Sequence, residues 1–304
     1  MNPHRLQAYF LLLIVSLIWG IAGVVIKFTL GGFPPLIFLT YRFAISTILA
    51  VLFFSLTGLH FPRNLKTIAL IILYGFLTST VALGFLFFGT EKTTAIDAIL
   101  ISAMAPITIA AAGVFFLKEH VTLRERIGIG IAFLGTVITV LEPILRNGNG
   151  FSGFQGNLLV FASILIGTIN AVLAKILMRD EVNPLLLTNV SFIVGFLTIL
   201  PAALFIYTPT FILAQIKSTP LPFHLGVIYM AVLSGTLAYT LWHKAQKTIE
   251  IGEVGLFAYL YPVFGTPLAV VWLKEKITIP FIIGAIIIAV GVVIAEFKKR
   301  RYNK

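Results

Sequence analysis

The chain has no cysteine, so disulfides and thiolate metal sites are excluded, and nothing in it reports a redox compartment. Charge is also scarce: 11% of residues are Asp, Glu, Lys or Arg, against about 25% in a soluble protein. Acid is scarcer than base, with 11 Asp and Glu facing 22 Lys and Arg. No H-E-x-x-H, G-x-S-x-G, phosphate-loop or paired-aspartate metal motif occurs, so no enzymatic constellation is legible and no cofactor is called for. The stretch "GIGIAFLG" from Gly128 does not fit G-x-G-x-x-G and follows no strand, which excludes a dinucleotide site. Its small residues instead suit close helix packing.

What remains is apolar. Hydrophobic residues make up 59% of the chain and its mean hydropathy is +1.05. The net charge of +11 would suit nucleic acid, but the basic residues fall between apolar runs, five of them in the tail "KKRRYNK". A lipid bilayer is the better partner. A helix needs about 20 largely apolar residues to cross the hydrocarbon core. Runs of that kind lie near 8–28, 34–57, 66–88, 93–117, 122–141, 155–178, 184–207, 222–246, 252–273 and 278–297. The expected fold is therefore an all-α integral membrane protein with ten transmembrane helices. The first run is too long for a signal peptide's apolar region and lacks an A-x-A site, so it reads as a retained helix. With the N-terminus inside, the inner segments hold 14 Lys and Arg and the outer loops five. This bias puts both termini in the cytoplasm of a multi-pass cell-membrane protein.

An internal repeat organises these spans. Pro106, Leu117, Lys118 and Glu119 recur as Pro262, Leu273, Lys274 and Glu275, each 156 residues later. The match continues through Thr122/Thr278, Gly128/Gly284 and Gly135/Gly291, and Lys27 falls over Lys175 and Tyr74 over Tyr229. Two five-helix units follow: 1–141, then an external linker at 142–154, then 155–304 with the basic tail. Because five is odd, the units insert in opposite directions. Inverted repeats are common in secondary transporters, whose substrate site lies at the midplane between them. Pro106 and Pro262 lack the N–H that would bond the carbonyls of Ser102 and Ala258. In lipid such freed carbonyls need protein, water or a cavity, so these helices are expected to line the pathway and bend there. A plain packing kink is the alternative. The Lys-Glu endings read as water-interface residues with no substrate role.

These residues carry a family resemblance over nearly the whole chain. "WGIAGVVIK" in the first span, "RF" in the second, the P-x10-LKE…T…G pattern in both halves and "GNLLVFASILIGTINAVLAK" resemble the ten-helix EamA-type exporters of the drug/metabolite transporter superfamily. The resemblance implies outward transport of small metabolites, such as amino acids or amphipathic compounds, by alternating access. One departure stands out. Where the family's second repeat commonly has tryptophan this chain has Gly167, which leaves out an aromatic cavity wall.

Ionisable groups inside spans are costly and are functional candidates by default. Asp97 lies about one turn into the fourth span and its repeat mate Glu253 about one turn into the ninth, each nine residues before its proline. Lys27 and Lys175 sit at opposite ends of the first and sixth spans. Symmetry thus puts one acid and one base at each mouth as a candidate gate, and an open gate's carboxylate would be free to take a proton, making protons the candidate coupling ion. Snorkelling lysines and carboxylates at helix starts are the alternative. Arg42, deeper in the second span, either binds an anionic substrate group or neutralises Asp97 or Glu91. Trp19, Tyr239, His243, Phe257 and Tyr261 are candidate cavity walls; packing or interfacial anchoring is the competing role. A small-molecule carrier, monomer or homodimer, is the leading function. An exchanger of phosphorylated or nucleotide-linked sugars would need several convergent basic groups, and Arg42 alone is thin support. A passive channel or an intramembrane enzyme is disfavoured by the repeat and by the missing catalytic groups.

Overall fold

Backbone N–H and C=O groups cannot stay unpaired in hydrocarbon, so a chain this apolar must close its hydrogen bonds within helices. The computed structural model describes residues 3–57, 62–109, 112, 123–146, 151–249 and 251–296, and among them there is no strand. Six helices are long and apolar enough to cross a membrane: His4–Leu30, Pro35–Leu56, Leu65–Lys92, Ser152–Arg179, Pro184–Ile206 and Leu221–Thr248. Shorter apolar helices cover Ala95–Ile109, Phe257–Trp272 and Ile279–Gly291. A further helix, Leu123–Arg146, lies where the fifth span was expected.

The polarity of the molecule is inverted relative to a water-soluble protein. Phe205 is 92% exposed, and Leu56, Leu65 and Ile279 also stand bare on the outside. Buried inside are Arg42, Asp97, Asn157, Asn170, Lys175 and His243. Lipid removes the cost of the first group; the second must find partners or a polar cavity.

Four of the helices are interrupted, and the interruptions fall in pairs. The helix Ala95–Ser102 gives way to a turn at Ala103 and Met104, where Met104 N–H donates to the Ile101 carbonyl at 3.0 Å instead of one residue further back. Helix resumes around Pro106, with Thr108 N–H on the Met104 carbonyl at 3.2 Å. In the other half, Ile251–Leu256 tightens to a 3₁₀ turn at Phe257–Leu260, and a new helix, Tyr261–Trp272, opens with Pro262 in its first turn. Proline is favoured there, since its missing N–H would be unpaired anyway. The second pair is of the opposite kind. Phe76–Ala82 and Tyr229–Leu237 are wide π-helical segments inside the third and eighth expected spans. Nothing in the residue pattern signals them.

Close backbone contact joins helices from the two halves of the chain. The most extensive helix pairing is between Leu123–Arg146 and Ile279–Glu296. A Cβ on Gly135 would meet the Gly284 carbonyl at 2.9 Å, and one on Gly284 would meet Thr139 Oγ1 at 2.5 Å, so both positions need glycine. This is the small-residue packing expected from the glycine pattern.

Two connections differ from expectation. Helix runs on to Arg146 and starts again at Phe151, so most of the proposed 142–154 linker is helical; 147–150 lie outside the described residues. Between Ile206 and Leu221 a short helix, Pro209–Ser218, replaces the expected loop. Thr208 caps it by accepting from Phe211 N–H at 3.2 Å, and Gln215 Nε2 ties it to the Gly32 carbonyl at 2.8 Å. The Thr-Pro start and Lys217 near the end were its legible signals.

Candidate transport cavity

The interrupted helices surround a cavity of about 230 Å³. Its wall includes Ser102 and Ala105 beside the first break, Ala258 and Tyr261 beside the second, and Thr78 and Ser234 from the two π segments. A π segment displaces the following side chains relative to a regular helix, a distortion frequent at functional sites.

Of the residues expected at the wall, Trp19, Tyr239, His243 and Tyr261 are there, and so is Arg42. Trp19 is the hub: its ring is 5.0 Å from Tyr239, 5.1 Å from Trp242 and 6.3 Å from Tyr261, between centroids. Its indole N–H donates to the Ser234 carbonyl at 3.0 Å, which fixes the ring against a π segment. His243 is bonded on both ring nitrogens, Nε2 to Tyr74 hydroxyl at 3.0 Å and Nδ1 to Gln246 Oε1 at 3.2 Å. Phe257 is not on this wall. Its ring stacks on Tyr9 at 5.9 Å and its carbonyl accepts from Ser16 Oγ at 2.9 Å. Gly167 does line the cavity, and a Cβ built there would meet nothing within 4 Å, so the space of the absent tryptophan is open.

Arg42 is completely buried, and among the described residues none of its three guanidinium nitrogens has a hydrogen-bond partner. Its guanidinium carbon lies 5.5 Å from the centre of the Phe87 ring, 5.6 Å from Phe43 and 5.7 Å from Phe192. Cation–π contacts of this kind contribute about 0.5–2 kcal/mol each, against several kcal/mol for desolvating the ion. Among the described residues no carboxylate of Asp97 or Glu91 is hydrogen-bonded to this side chain.

Of the candidate gate residues, Lys27, Asp97 and Lys175 lie off the cavity wall. Lys27 Nζ donates to the carbonyls of Thr90, at 3.0 Å, Glu91, at 3.0 Å, and Thr93. Lys175 Nζ donates to those of Gln246 and Ile249, at 2.9 Å each. Both lysines thus close the end of a helix, where the last carbonyls lack intrahelical partners and the dipole is negative. The two clamps are related: Glu91 and Gln246 stand 155 residues apart, Thr93 and Ile249 156. Asp97 sits in the first turn of its helix, capped by Thr94, and accepts a bond from Thr93 Oγ1 at 3.4 Å. Thr93 Oγ1 also bonds Asn157 Oδ1. Glu253 belongs to the helix Ile251–Leu256, but its side chain lies outside the described residues. The Lys-Glu ending has a structural task that the sequence did not disclose. Lys274 adopts a left-handed backbone (φ 58°) that turns Glu275 onto the start of the helix Ala95–Ser102. There its carboxylate accepts from Ala95 N–H at 2.8 Å and Ile96 N–H at 2.9 Å. The first half's copy, 117–119, lies outside the described residues.

Among the described residues no group of His, Asp and Glu could hold a metal ion. The model of the EamA-like transporter family matches residues 6–141 and again 154–297. An uncharacterized transporter of Bacillus subtilis is 24% identical over 96% of this chain and 94% of its own. A probable amino-acid metabolite efflux pump of Salmonella typhimurium is 25% identical over 95% of this chain and 94% of its own. A pump of the same name from Escherichia coli is 24% identical over 95% of each chain. A solved crystal structure superposes with a TM-score of 0.65 at 19% identity, covering 98% of this chain and 99% of the other, which shows a shared fold. The chain belongs to the EamA-like transporter family of the drug/metabolite transporter superfamily, whose members are transporters and not enzymes.

Proposed function

We propose that this transporter is a secondary carrier exporting small metabolites, amino acids and related amphipathic compounds among them, by alternating access. Its ten membrane helices form two inverted five-helix repeats, 1–141 and 155–304, joined across 142–154, with both termini cytoplasmic. The observation that carries the reading is the cavity enclosed by helices interrupted in matching pairs, at Ala103–Met104 and Phe257–Leu260 and at Phe76–Ala82 and Tyr229–Leu237. Broken helices around a midplane cavity are the usual construction of a carrier site. Pro106 and Pro262 serve as hinges. Lys27 with Asp97, and Lys175 with Glu253, mark the two mouths, and the carboxylates offer a route for coupling protons. Two relatives named as probable amino-acid metabolite efflux pumps support cargo of that class. The volume agrees: about 230 Å³ is below the about 300–1,000 Å³ of drug-sized pockets and disfavours a nucleotide-linked sugar.

The test is counterflow in proteoliposomes. Purified protein should exchange external labelled leucine for internal unlabelled leucine, with saturation and with competition by phenylalanine and 3-phenylpropanoate. Flux linear in concentration would make the protein a channel. No protein-dependent flux for any of these compounds would remove the carrier reading for this class of cargo.

A further inference from the structure

Among the described residues on the cavity wall, Arg42 is the one with a permanent charge, and no Asp or Glu stands with it. The guanidinium offers five N–H donors in a planar fork, and all of them lack acceptors among the described residues. Three phenylalanine rings surround it, giving an attractive field but no lone pairs to receive those donors. The guanidinium also reaches the π segment: a Cβ on Gly235 would stand 3.6 Å from Arg42 Nη2, in ordinary van der Waals contact. An ion desolvated to this extent with every donor unused is an incomplete site, since a buried charge needs a partner of opposite sign.

Resting on the carrier reading above, we propose that Arg42 is the anchor for a substrate carboxylate. The transported class is then small amphipathic acids: an apolar body with one free carboxylate, held as a bidentate pair with the guanidinium. The body lies against the rings of Trp19, Tyr239 and Tyr261, which form a continuous aromatic face on the same cavity. A carboxylate is required and an ammonium is not, because the described wall residues include a cation and no anion. Zwitterionic amino acids therefore enter by their carboxylate, and amines of the same shape are excluded. The single guanidinium suits a monoanion better than a doubly charged phosphate ester.

Three probes with one apolar body separate these charges: 3-phenylpropanoate, phenylalanine and phenethylamine, with phenyl phosphate as a fourth. Binding is read on detergent-purified protein by thermal stabilisation and by tryptophan fluorescence, independently of transport. The first two should stabilise the protein and perturb its fluorescence; phenethylamine should do neither at tenfold higher concentration, and phenyl phosphate should bind at least tenfold more weakly than 3-phenylpropanoate. Arg42→Met should abolish carboxylate binding while raising the melting temperature of the empty protein, because an unpaired charge is replaced by an apolar side chain. Arg42→Lys should keep a weakened response to 3-phenylpropanoate alone. If phenethylamine binds as well as 3-phenylpropanoate, or Arg42→Met binds it as the parent does, the carboxylate anchor is wrong. A lower melting temperature for empty Arg42→Met would make Arg42 a structural residue and equally overturn it. Tighter binding of phenyl phosphate would move the class to phosphate esters and refute the monoanion. Saturable leucine counterflow alongside any of these results leaves the carrier standing, so the two readings fail separately.

Discussion

At the scale of single residues, a mostly apolar cavity wall carries a few polar side chains, some bonded to each other or to helix carbonyls and others unpartnered among the described residues. Tyr74 and His243 come from different halves of the chain and meet at 3.0 Å in a buried position. Removing one partner of a buried hydrogen bond leaves the other desolvated at a cost of about 1–3 kcal/mol. Tyr74→Phe should therefore lower the melting temperature of the purified protein, and Tyr74→Phe with His243→Phe should recover part of the loss. A single mutant that melts with the parent would mean that the pair contributes nothing to the assembled halves. Sequence reasoning found His243, Tyr239 and Trp19 because polar and aromatic groups stand out in an apolar run. It assigned no role to Tyr74 and overlooked Asn170, which lines the cavity with both amide atoms unpartnered. It put Phe257 on the wall for the same reason, although that ring's direction is set by a 3₁₀ turn that no residue type announces.

At the scale of elements, apolar run length located the six long helices of the described residues but not the short helix Pro209–Ser218, since hydrocarbon thickness fixes only how long a crossing helix must be. The prolines located two of the interruptions as well, because a missing N–H is visible in the sequence. The π segments were not legible: they arise from packing around the cavity, and "FLTSTVA" and "YMAVLSGTL" are compatible with ordinary helix. The capping task of the C-terminal Lys-Glu was not legible, because it depends on a helix start 180 residues away in sequence, where Glu275 meets Ala95. If the breaks are hinges, they should affect movement more than binding. Pro106→Ala or Pro262→Ala returns an N–H and lets the α-helical bond to Ser102 or Ala258 form. Each substitution is expected to slow counterflow several-fold while leaving the half-saturating leucine concentration within about twofold, the pattern of a changed conformational step. Parent rates in both single mutants would reduce the breaks to packing kinks.

At the scale of the whole molecule, the parity of membrane crossings in each half decides how the halves are related. The family model matches the chain twice, over 6–141 and 154–297, and the helix Leu123–Arg146 of the first match packs along Ile279–Glu296 of the second. Lys27 and Lys175 clamp the ends of helices at positions 155 to 156 residues apart, each within its own half. If each half crosses the bilayer five times, those two clamps face opposite sides of the membrane, and the chain's 14-to-5 distribution of Lys and Arg gives the sense of insertion. With even numbers of crossings in each half, the same two clamps would face one side, and the halves would be parallel copies. A reporter fused after Lys304 and one inserted beside Lys66 should both read cytoplasmic, whereas one at Asn149 should read external. Single cysteines add a second readout without any native thiol to remove. Placed at Lys92, a cysteine should label from outside, and at Lys247, from inside, since these positions end the two clamped helices. Labelling of both from one face, or a shared side for Asn149 and Lys304, would remove the inverted arrangement and with it the structural reason for two alternating mouths.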